Sequence, residues 1–280
     1  MDVSVVVATR NRREQLTAAL ERLRALPEQP PVIVVDNAST DGTVAMVRRD
    51  YPEVEVVPLD RNAGAAGRNA GVARARTPYV AFCDDDSTWE PGALGRAAAV
   101  LDAHAELAVV AARVLVGPQR RVDETCTAMR TSPLPWAGAG PGVLGFVACG
   151  AVVRREAFLS VGGFEELLVI MGEEELLALD LAAAGWRLAY VDDVVAVHFP
   201  EIASDRAGRD ERQLRNGLLT ALMRRPAPVI ARRLTRLARL ALRERAARRA
   251  LAEAVVRAPT ALARRQVVPP PIEAQARLVC

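Results

Sequence analysis

Three consecutive aspartates, Asp84, Asp85 and Asp86, follow an apolar run at residues 79–83. A short run of β-branched and aromatic residues that ends in polar residues predicts a buried strand reaching the edge of a sheet. Adjacent carboxylates repel one another, and hard divalent cations such as Mg²⁺ and Mn²⁺ are the partners that they share with phosphates. The triplet therefore indicates a metal site, with a solvated acidic turn as the alternative.

The elements that must position this triplet alternate along the first 104 residues. Apolar runs predict strands at residues 3–7, 32–35, 54–57 and 79–83, and helical spacing predicts helices at residues 13–26, through Val44 and Val47, and at 64–75 and 92–104. This alternation is typical of parallel βαβ units in an α/β fold. Ligands of such sheets bind beyond the carboxyl ends of the strands, so residues 8–11, 36–37 and 84–86 are predicted to share one rim.

The second half of the chain has a less regular pattern. After a predicted strand at residues 107–116, residues 117–142 are rich in Pro, Gly and Arg, which favours an irregular excursion near the site. Strands are predicted again at residues 145–154 and 194–197, with a helix between Gly172 and Gly185. Beyond residue 224, Arg and Leu at helical spacing predict a helical extension that ends in prolines and frayed residues.

Composition limits the chemistry that the chain can perform. All 37 basic residues are arginines, so no lysine is available for a Schiff base or a phosphate loop. Four scattered cysteines without a CxxC pair favour a reduced, cytoplasmic compartment. We expect no signal peptide and no membrane span, since no apolar stretch approaches about 18 residues. The expectation is a soluble protein, at most peripheral on the inner membrane face.

Six groups of residues follow one another between residues 3 and 226 in an informative order. They are Val3-Ser4-Val5-Val6-Val7-Ala8-Thr9-Arg10-Asn11-Arg12, Val34-Val35-Asp36-Asn37-Ala38-Ser39-Thr40-Asp41-Gly42, Arg61-Asn62-Ala63-Gly64 with Gly67-Arg68-Asn69, the aspartate triplet, Gly163-Phe164-Glu165-Glu166 with Gly172-Glu173-Glu174, and His198 with Arg215-Asn216 and Arg224-Arg225-Pro226. This order resembles that of the inverting GT-A-fold glycosyltransferases of the family 2 type, which use nucleotide-sugar donors. The resemblance implies an α/β, Rossmann-like GT-A fold with a mostly parallel sheet and flanking helices. It places a GT-A domain at residues 1–225 and an Arg-rich helical extension at 226–280.

The resemblance also implies a metal-dependent donor site. The metal ligands would be Asp86, Asp84 and His198, holding Mn²⁺ or Mg²⁺, although His198 could instead be a structural histidine at a strand end. Asp36 would recognise the base and Arg68 the base or a phosphate. The implied nucleotide-sugar-binding residues are Thr9, Asn11, Asp36, Asn37, Asn62, Gly64, Arg68, Asp84, Asp85 and Arg215. Arg206, Arg209, Arg212 and Arg215 could close over the diphosphate, or the first three could form a solvated helix face.

The acidic group at the start of the predicted helix after Gly172 is the implied catalytic element. In the resembling family the second residue of an acidic pair is the general base, which corresponds to Glu174 here, with Glu173 and Glu175 left open as alternatives. A plain acidic helix N-terminus, favoured by the helix dipole, is the structural alternative. Because Glu174 stands where Asp is common, a catalytically degenerate module that binds nucleotide sugars or a protein partner is the alternative function.

The partners are predicted only by class. The donor is expected to be a UDP-sugar, with dTDP- or GDP-sugars as alternatives, and the acceptor a hydroxyl of a glycan, a lipid-linked compound or a small natural product. The Arg-rich extension is expected to pack or to form a homodimer, with an anionic membrane surface as a further reading. No nucleic-acid partner is expected, because no stacking aromatic residues are interleaved with its arginines.

Overall fold

A computed structural model of the chain describes residues 2–200 and 208–279. Its strands are β1 (Val3–Thr9), β2 (Val32–Asp36), β3 (Glu55–Pro58), β4 (Tyr79–Asp84), β5 (Ser87–Trp89), β6 (Leu107–Val116), β7 (Arg121–Val122), β8 (Leu134–Ala137), β9 (Gly140–Gly142), β10 (Ala151–Arg154) and β11 (Arg187–His198). Its helices are α1 (Arg13–Arg24), α2 (Thr43–Asp50), α3 (Gly67–Arg74), α4 (Ala93–Ala103), α5 (Glu124–Arg130), α6 (Arg155–Ser160), α7 (Glu173–Ala183), α8 (Arg209–Arg224), α9 (Ala227–Ala241), α10 (Arg245–Ala263) and α11 (Pro270–Val279).

The strands form one sheet with the order β3-β2-β1-β4-β10-β6-β11-β9-β8, and the first four strands in this order are parallel. Strands β1, β2, β3 and β4 pair in parallel, as the βαβ pattern predicts. Their registers align Thr9 with Asp36 and Ala8 with Asp84, so the predicted polar loops leave the sheet at neighbouring positions. Apart from the part-exposed Ala8, the apolar residues of β1 and β4 are buried, which explains why these strands read as continuous hydrophobic runs.

The second half of the sheet departs from the parallel expectation. Strand β10 inserts antiparallel between β4 and β6 and occupies only part of the predicted 145–154 strand, because residues Ala148–Gly150 form a 3₁₀ turn. The prediction of an irregular excursion at residues 117–142 is wrong. Those residues contain β7, α5, β8 and β9, and Asp123 caps α5 by accepting a hydrogen bond from the backbone N–H of Thr125.

The C-terminal residues form three helices that pack against the rest of the chain. The predicted single Arg/Leu helix is two helices, α9 and α10, which pack with α8 around Leu218 and Leu237. The expectation of a frayed end is wrong: Pro270 opens α11, where a missing N–H costs nothing. Helix α11 is fixed by a buried ion pair between Arg225 and Glu273, with Nε and Oε2 2.6 Å apart.

Three aromatic rings form the packing beneath the site. Phe82 of β4 lies 5.5 Å from the ring of Phe158 and 5.3 Å from that of Phe164, and the latter two meet edge to face. Such tilted arrangements are the favoured geometry for aromatic pairs. The cluster therefore connects the strand that ends in the aspartates to the residues that lead toward Glu173. No helix within the described ranges is long and apolar enough to cross a membrane.

Candidate active site

Each aspartate of the triplet has its own partner. The guanidinium of Arg68, on α3, donates to Asp84 Oδ1. The Thr9 hydroxyl at the end of β1 donates to Asp85 Oδ2 at 2.8 Å, and His198 Nε2 at the end of β11 lies 3.2 Å from Asp86 Oδ1. Residues from four separate elements thus meet at the end of β4. The solvated acidic turn is excluded, since Asp85 is only 6% exposed.

The atoms at this point fit a divalent cation. One ligand atom each from Asp84, Asp86 and His198 lies within 4.8 Å of the others. Two carboxylate oxygens and an imidazole nitrogen are a donor set that suits Mn²⁺ and Mg²⁺. Burial pushes the pKa of Asp86 upward, but His198 and a nearby arginine outweigh it and hold that pKa below its ordinary value. Asp86 is therefore ionised at neutral pH, as a metal ligand must be.

Arg12 is a site residue that the sequence interpretation did not single out. Its Nε lies 3.0 Å from Asp85 Oδ1, and its Nη2 donates to Asp86 Oδ2 at 2.9 Å. Burial raises the pKa of Asp85 to about 7, although Arg12 and Thr9 both act to lower it. The guanidinium thus neutralises the aspartates from the β1 side. Its position directly after the Thr9-to-Asn11 turn, on the same rim, was the signal that could have identified it.

The loops after β1 and β2 are joined to each other by side chains. Asn11 Oδ1 accepts from the backbone N–H of Thr40 at 2.7 Å, which ties the two loops together. Asp36 is 2% exposed, and its Oδ2 accepts from the backbone N–H of Ser39 at 2.9 Å. Within the described ranges its Oδ1 is buried and has no hydrogen-bond partner, and contact of Asp36 with a nucleotide base stays a prediction.

The third sequence motif has a structural part in this rim. Asn37 Oδ1 accepts from the backbone N–H of Ala63 at 3.1 Å, and Asn62 Oδ1 accepts from the backbone N–H of Gly64 at 2.9 Å. Both amides therefore shape the loop that leads into α3, while Arg68 projects from α3 to Asp84. Contact of Asn37, Asn62 and Gly64 with a donor stays a prediction.

The glutamates at the start of α7 differ in their surroundings. Glu173 is 4% exposed, and burial together with the charge of Glu174 raises its pKa to about 8. Glu174 is half-buried, and burial raises its pKa too, against the lowering effect of the backbone N–H of Ala148 and of Arg68. Glu175 forms an ion pair with Arg233 of α9 at 3.1 Å, so its carboxylate is engaged outside the site.

The segment that delivers these glutamates, residues 165–172, is named here the glutamate loop. Two of its non-glycine residues have left-handed backbone, Val169 with φ 66° and Met171 with φ 79°. Val169 also meets the rim: its carbonyl accepts from the backbone N–H of Ala65 at 2.6 Å. Gly64 has φ 60°, and a Cβ there would overlap the carbonyl oxygen of Val169. Only glycine allows the two loops to approach so closely.

The structure gives Arg215 contacts that differ from the predicted donor contact. Its guanidinium pairs with Glu253 of α10 and donates through Nη2 to the carbonyl of Leu168 at 3.1 Å. Arg215 is 5% exposed, so in the described chain it serves the packing of α8 against the glutamate loop and α10. Of the predicted lid, Arg209 and Arg212 open α8, and Arg206 lies outside the described residues.

A mixed sheet with an Asp-rich rim, a histidine of β11 in contact with Asp86 and two glutamates whose charges act on Arg68 defines the GT-A class of glycosyltransferases. The family model named Glycosyl transferase family 2 matches residues 4–162, and the chain belongs to that family. The chain is also 32% identical to the uncharacterized glycosyltransferase Rv0539 of Mycobacterium tuberculosis over 197 residues, which are 68% of this chain and 83% of that protein.

Solved structures share the fold over almost the whole chain. The mannosyltransferase PcManGT from Pyrobaculum calidifontis, in complex with GDP-Man and Mn²⁺, aligns with TM-score 0.60 and 24% identity, covering 99% of this chain and 78% of that one. S. aureus TarS 1-349, in complex with UDP-GlcNAc, aligns with TM-score 0.66 and 19% identity, covering 98% of this chain and 84% of the other. At these identities the likeness establishes the GT-A fold alone.

Proposed function

We propose that this glycosyltransferase is a metal-dependent, inverting enzyme that moves a sugar from a nucleoside-diphosphate donor to an acceptor hydroxyl by direct displacement. The observation that carries the proposal is the convergence of Asp84, Asp86 and His198 on one point at the rim. The donors named for the two structural neighbours, GDP-Man and UDP-GlcNAc, support a nucleoside-diphosphate sugar. A UDP-sugar is our first expectation for this chain, with GDP- and dTDP-sugars as alternatives.

The rim residues would hold the donor. Asp36, whose buried Oδ1 has no partner in the described residues, would accept from the base, and Thr9 would keep Asp85 in place beside the ribose or sugar. Asp84, Asp86 and His198 hold Mn²⁺ or Mg²⁺, and the chemistry that such an ion supplies is Lewis-acid stabilisation of the charge on the departing diphosphate. Arg68 orients Asp84 by donating a hydrogen bond to its Oδ1. These groups bind and orient, and none of them needs to transfer a proton.

Proton removal from the acceptor hydroxyl is assigned to Glu174. General-base catalysis needs a carboxylate that can reach substrate and whose pKa lies nearer the working pH than that of a free glutamate. Glu174 is half-buried with a raised pKa, Glu173 is enclosed, and Glu175 is engaged by Arg233. Accessibility therefore favours Glu174. In the displacement the hydroxyl oxygen bonds to the anomeric carbon, the bond to diphosphate breaks with both electrons leaving, and the proton passes to Glu174.

The acceptor and the surroundings of the enzyme are proposed only by class. The acceptor is a hydroxyl compound such as a glycan, a lipid-linked saccharide or a small natural product, and the compartment is the cytoplasm. Among described residues, no acidic partner is seen for the arginines on the outer face of α9, which are Arg232, Arg236 and Arg239. Their spacing places them on one stripe, which supports contact with an anionic membrane surface, with a homodimer as the alternative. Sedimentation experiments distinguish the two. Co-sedimentation with phosphatidylglycerol vesicles would indicate membrane contact, and sedimentation as a dimer without vesicles would indicate the homodimer.

A thermal-shift screen of UDP-glucose, UDP-GlcNAc, GDP-mannose and dTDP-glucose, each with and without Mn²⁺, tests the proposal. We expect one of these donors to raise the melting temperature only when Mn²⁺ is present. Stabilisation that is equal with and without the ion would overturn the metal assignment. Binding without release of nucleoside diphosphate in the presence of acceptor extracts would favour the degenerate binding module.

A further inference from the structure

The glutamate loop is held in its conformation by one buried amide. Asn216 of α8 is 1% exposed, and its Nδ2 lies 2.9 Å from the carbonyl oxygens of Leu168 and Ile170 and 2.6 Å from that of Met171. Three carbonyls of one short segment thus converge on a single NH₂ group. In a regular helix or strand these carbonyls would accept from backbone N–H groups, so the amide supplies the donor that secondary structure would otherwise provide.

The conformation needs such support because it is strained. Val169 and Met171 both have positive φ, and a β-branched residue such as Val169 is rarely found there. Residues in these regions persist only where surrounding contacts over-determine them. The strain lies within five residues of Glu174, so release of the loop would move the start of α7 and the glutamates with it.

A second buried side chain fixes the orientation of the amide. Arg215 Nε donates to Asn216 Oδ1 at 2.8 Å, which turns the NH₂ group toward the loop, and Arg215 Nη2 donates to the carbonyl of Leu168. Arg215 is in turn paired with Glu253 of α10. Helix α10 also reaches the loop directly, because Arg257 Nη1 donates to the carbonyl of Leu167 at 2.7 Å. The Arg-rich extension therefore takes part in this support.

We propose that Asn216, oriented by Arg215, is a positioning residue that holds the glutamate loop in its left-handed conformation and thereby sets Glu173 and Glu174 against the donor rim. Asn216 acts through the loop and touches no reacting atom. The assignment of the glutamates to proton transfer rests on the proposed function. The support of the loop by Asn216 does not, because it is a property of the folded chain alone.

The test is Asn216→Asp, which keeps the size of the side chain but replaces the NH₂ donor with an oxygen facing three carbonyls. Because the NH₂ group whose two hydrogens serve these three carbonyls is lost, we expect amide hydrogen exchange in peptides covering residues 165–175 to rise by about tenfold or more. Exchange in peptides covering residues 79–88 should stay unchanged. Arg215→Met, which leaves Asn216 in place but frees its amide to rotate, should give a smaller rise at the same residues and serves if Asn216→Asp does not fold.

The matched control is Arg265→Met. Arg265 donates to the carbonyls of Leu222 and Arg225 in the same helical layer, and no hydrogen bond or ion pair among the described residues joins it to the glutamate loop. The control should lower the melting temperature without raising exchange at residues 165–175. Equal exchange at these residues in wild type and Asn216→Asp, or an equal rise in the control, would overturn the proposal.

Turnover and donor binding supply the readout that a purely structural role would not give. With the nucleotide sugar selected from the four-donor screen, Asn216→Asp should keep the donor-induced thermal shift and the KM for donor, while kcat falls about tenfold. A fall in donor affinity with unchanged kcat would contradict a positioning role. If no donor binds even to wild type, the proposed function fails, while the exchange experiment still decides whether Asn216 holds the loop.

Discussion

The donor rim and the glutamate loop are both parts of the site, but different contacts build them. The donor rim consists of the residues at or directly after the carboxyl ends of β1, β2 and β4, namely 8–11, 36–37 and 84–86. The rim stands on the parallel pairing of β1, β2 and β4, whose register alone places Thr9 beside Asp36 and Ala8 beside Asp84. The glutamate loop has no strand or helix of its own. Side chains 45 to 105 residues away contact it, among them Asn216 at Met171, Arg264 at Glu165 and Arg61 at Glu166.

This difference separates two tasks within one site. Strand pairing holds many backbone groups at once, so the rim can keep three carboxylates close together while Arg12, Arg68 and His198 balance their charge. The glutamate loop depends on a few side-chain contacts and on strained backbone, so its position responds to single substitutions. Rim substitutions should therefore act on binding, and loop substitutions on turnover.

The largest expected effect is that of Asp86→Asn on the rim. Removing this carboxylate takes away a partner of both His198 and Arg12 and one of the three candidate metal ligands. A metal ion contributes several kcal/mol to charge stabilisation, so we expect kcat/KM to fall by about 10³-fold or more. The Mn²⁺-dependent thermal shift by donor should disappear. Asp60→Asn, at an exposed acidic residue, is the control and should retain both.

Glu174→Gln should impair turnover, the task that we assign to the residues that the glutamate loop positions. Because the amide cannot take a proton, we expect turnover to fall by about 10²-fold or more while donor affinity stays within a factor of about two. Glu175→Gln is the matched control, since its carboxylate already pairs with Arg233. Normal turnover in Glu174→Gln together with a loss of turnover in Glu173→Gln would identify Glu173 as the general base instead of Glu174.

The rim was largely predictable from the sequence, because its signals are local. An apolar run followed by Asp84, and polar residues directly after β1 and β2, specify both the strands and the edge at which they end. Arg12 was missed because a motif does not tell which way a long side chain turns. The nucleotide roles assigned to rim residues stay predictions.

The supports of the glutamate loop were not predictable in the same way. Arg215 and Asn216 stand in an amphipathic helix, where a sequence pattern cannot distinguish a buried polar pair from a ligand contact. Their partners, Leu168 and Glu253, are defined only once α8 and α10 have packed. The short elements between residues 117 and 142 were missed because strands of two to four residues carry too little periodicity to stand out.

Gly64→Ala should test the point where the two regions touch. The added Cβ would overlap the carbonyl oxygen of Val169, and the backbone there has φ 60°. We expect the free energy of unfolding to fall by about 1–3 kcal/mol. We also expect kcat to fall more than the affinity for donor, because the glutamate loop must move away from the new Cβ. Gly95→Ala in α4 is the control, since nothing described lies within 4 Å of its new Cβ. An equal loss of kcat and of donor affinity would show that the rim moves instead of the glutamate loop.

The smallest expected effect concerns two buried acids, one on each side. Asp85 on the rim has Thr9 and Arg12 as partners, whereas Glu173 Oε2 has none within the described ranges. Burial raises the pKa of Glu173 to about 8, above its value of about 4.3 in an unfolded chain. The folded protein therefore keeps a proton between these pH values that the unfolded chain releases, so wild-type stability should decline as pH rises through this window.

Glu173→Gln removes this titration without removing the shape of the side chain. We expect its melting temperature, relative to wild type, to rise steadily from about pH 4.5 to pH 8 and to level off above it. Glu156→Gln, at an exposed carboxylate of α6, should give a difference that does not change with pH in this way. Asp85→Asn should instead lose stability, because it leaves the partners Thr9 and Arg12 with a weaker acceptor. Parallel melting curves of wild type and Glu173→Gln from pH 4.5 to pH 8 would mean that Glu173 is ionised in the folded protein. The unpaired Oε2 of Glu173 would then not mark a protonated acid, and the contrast between a paired rim and a sparsely supported loop would not extend to the charge of Glu173.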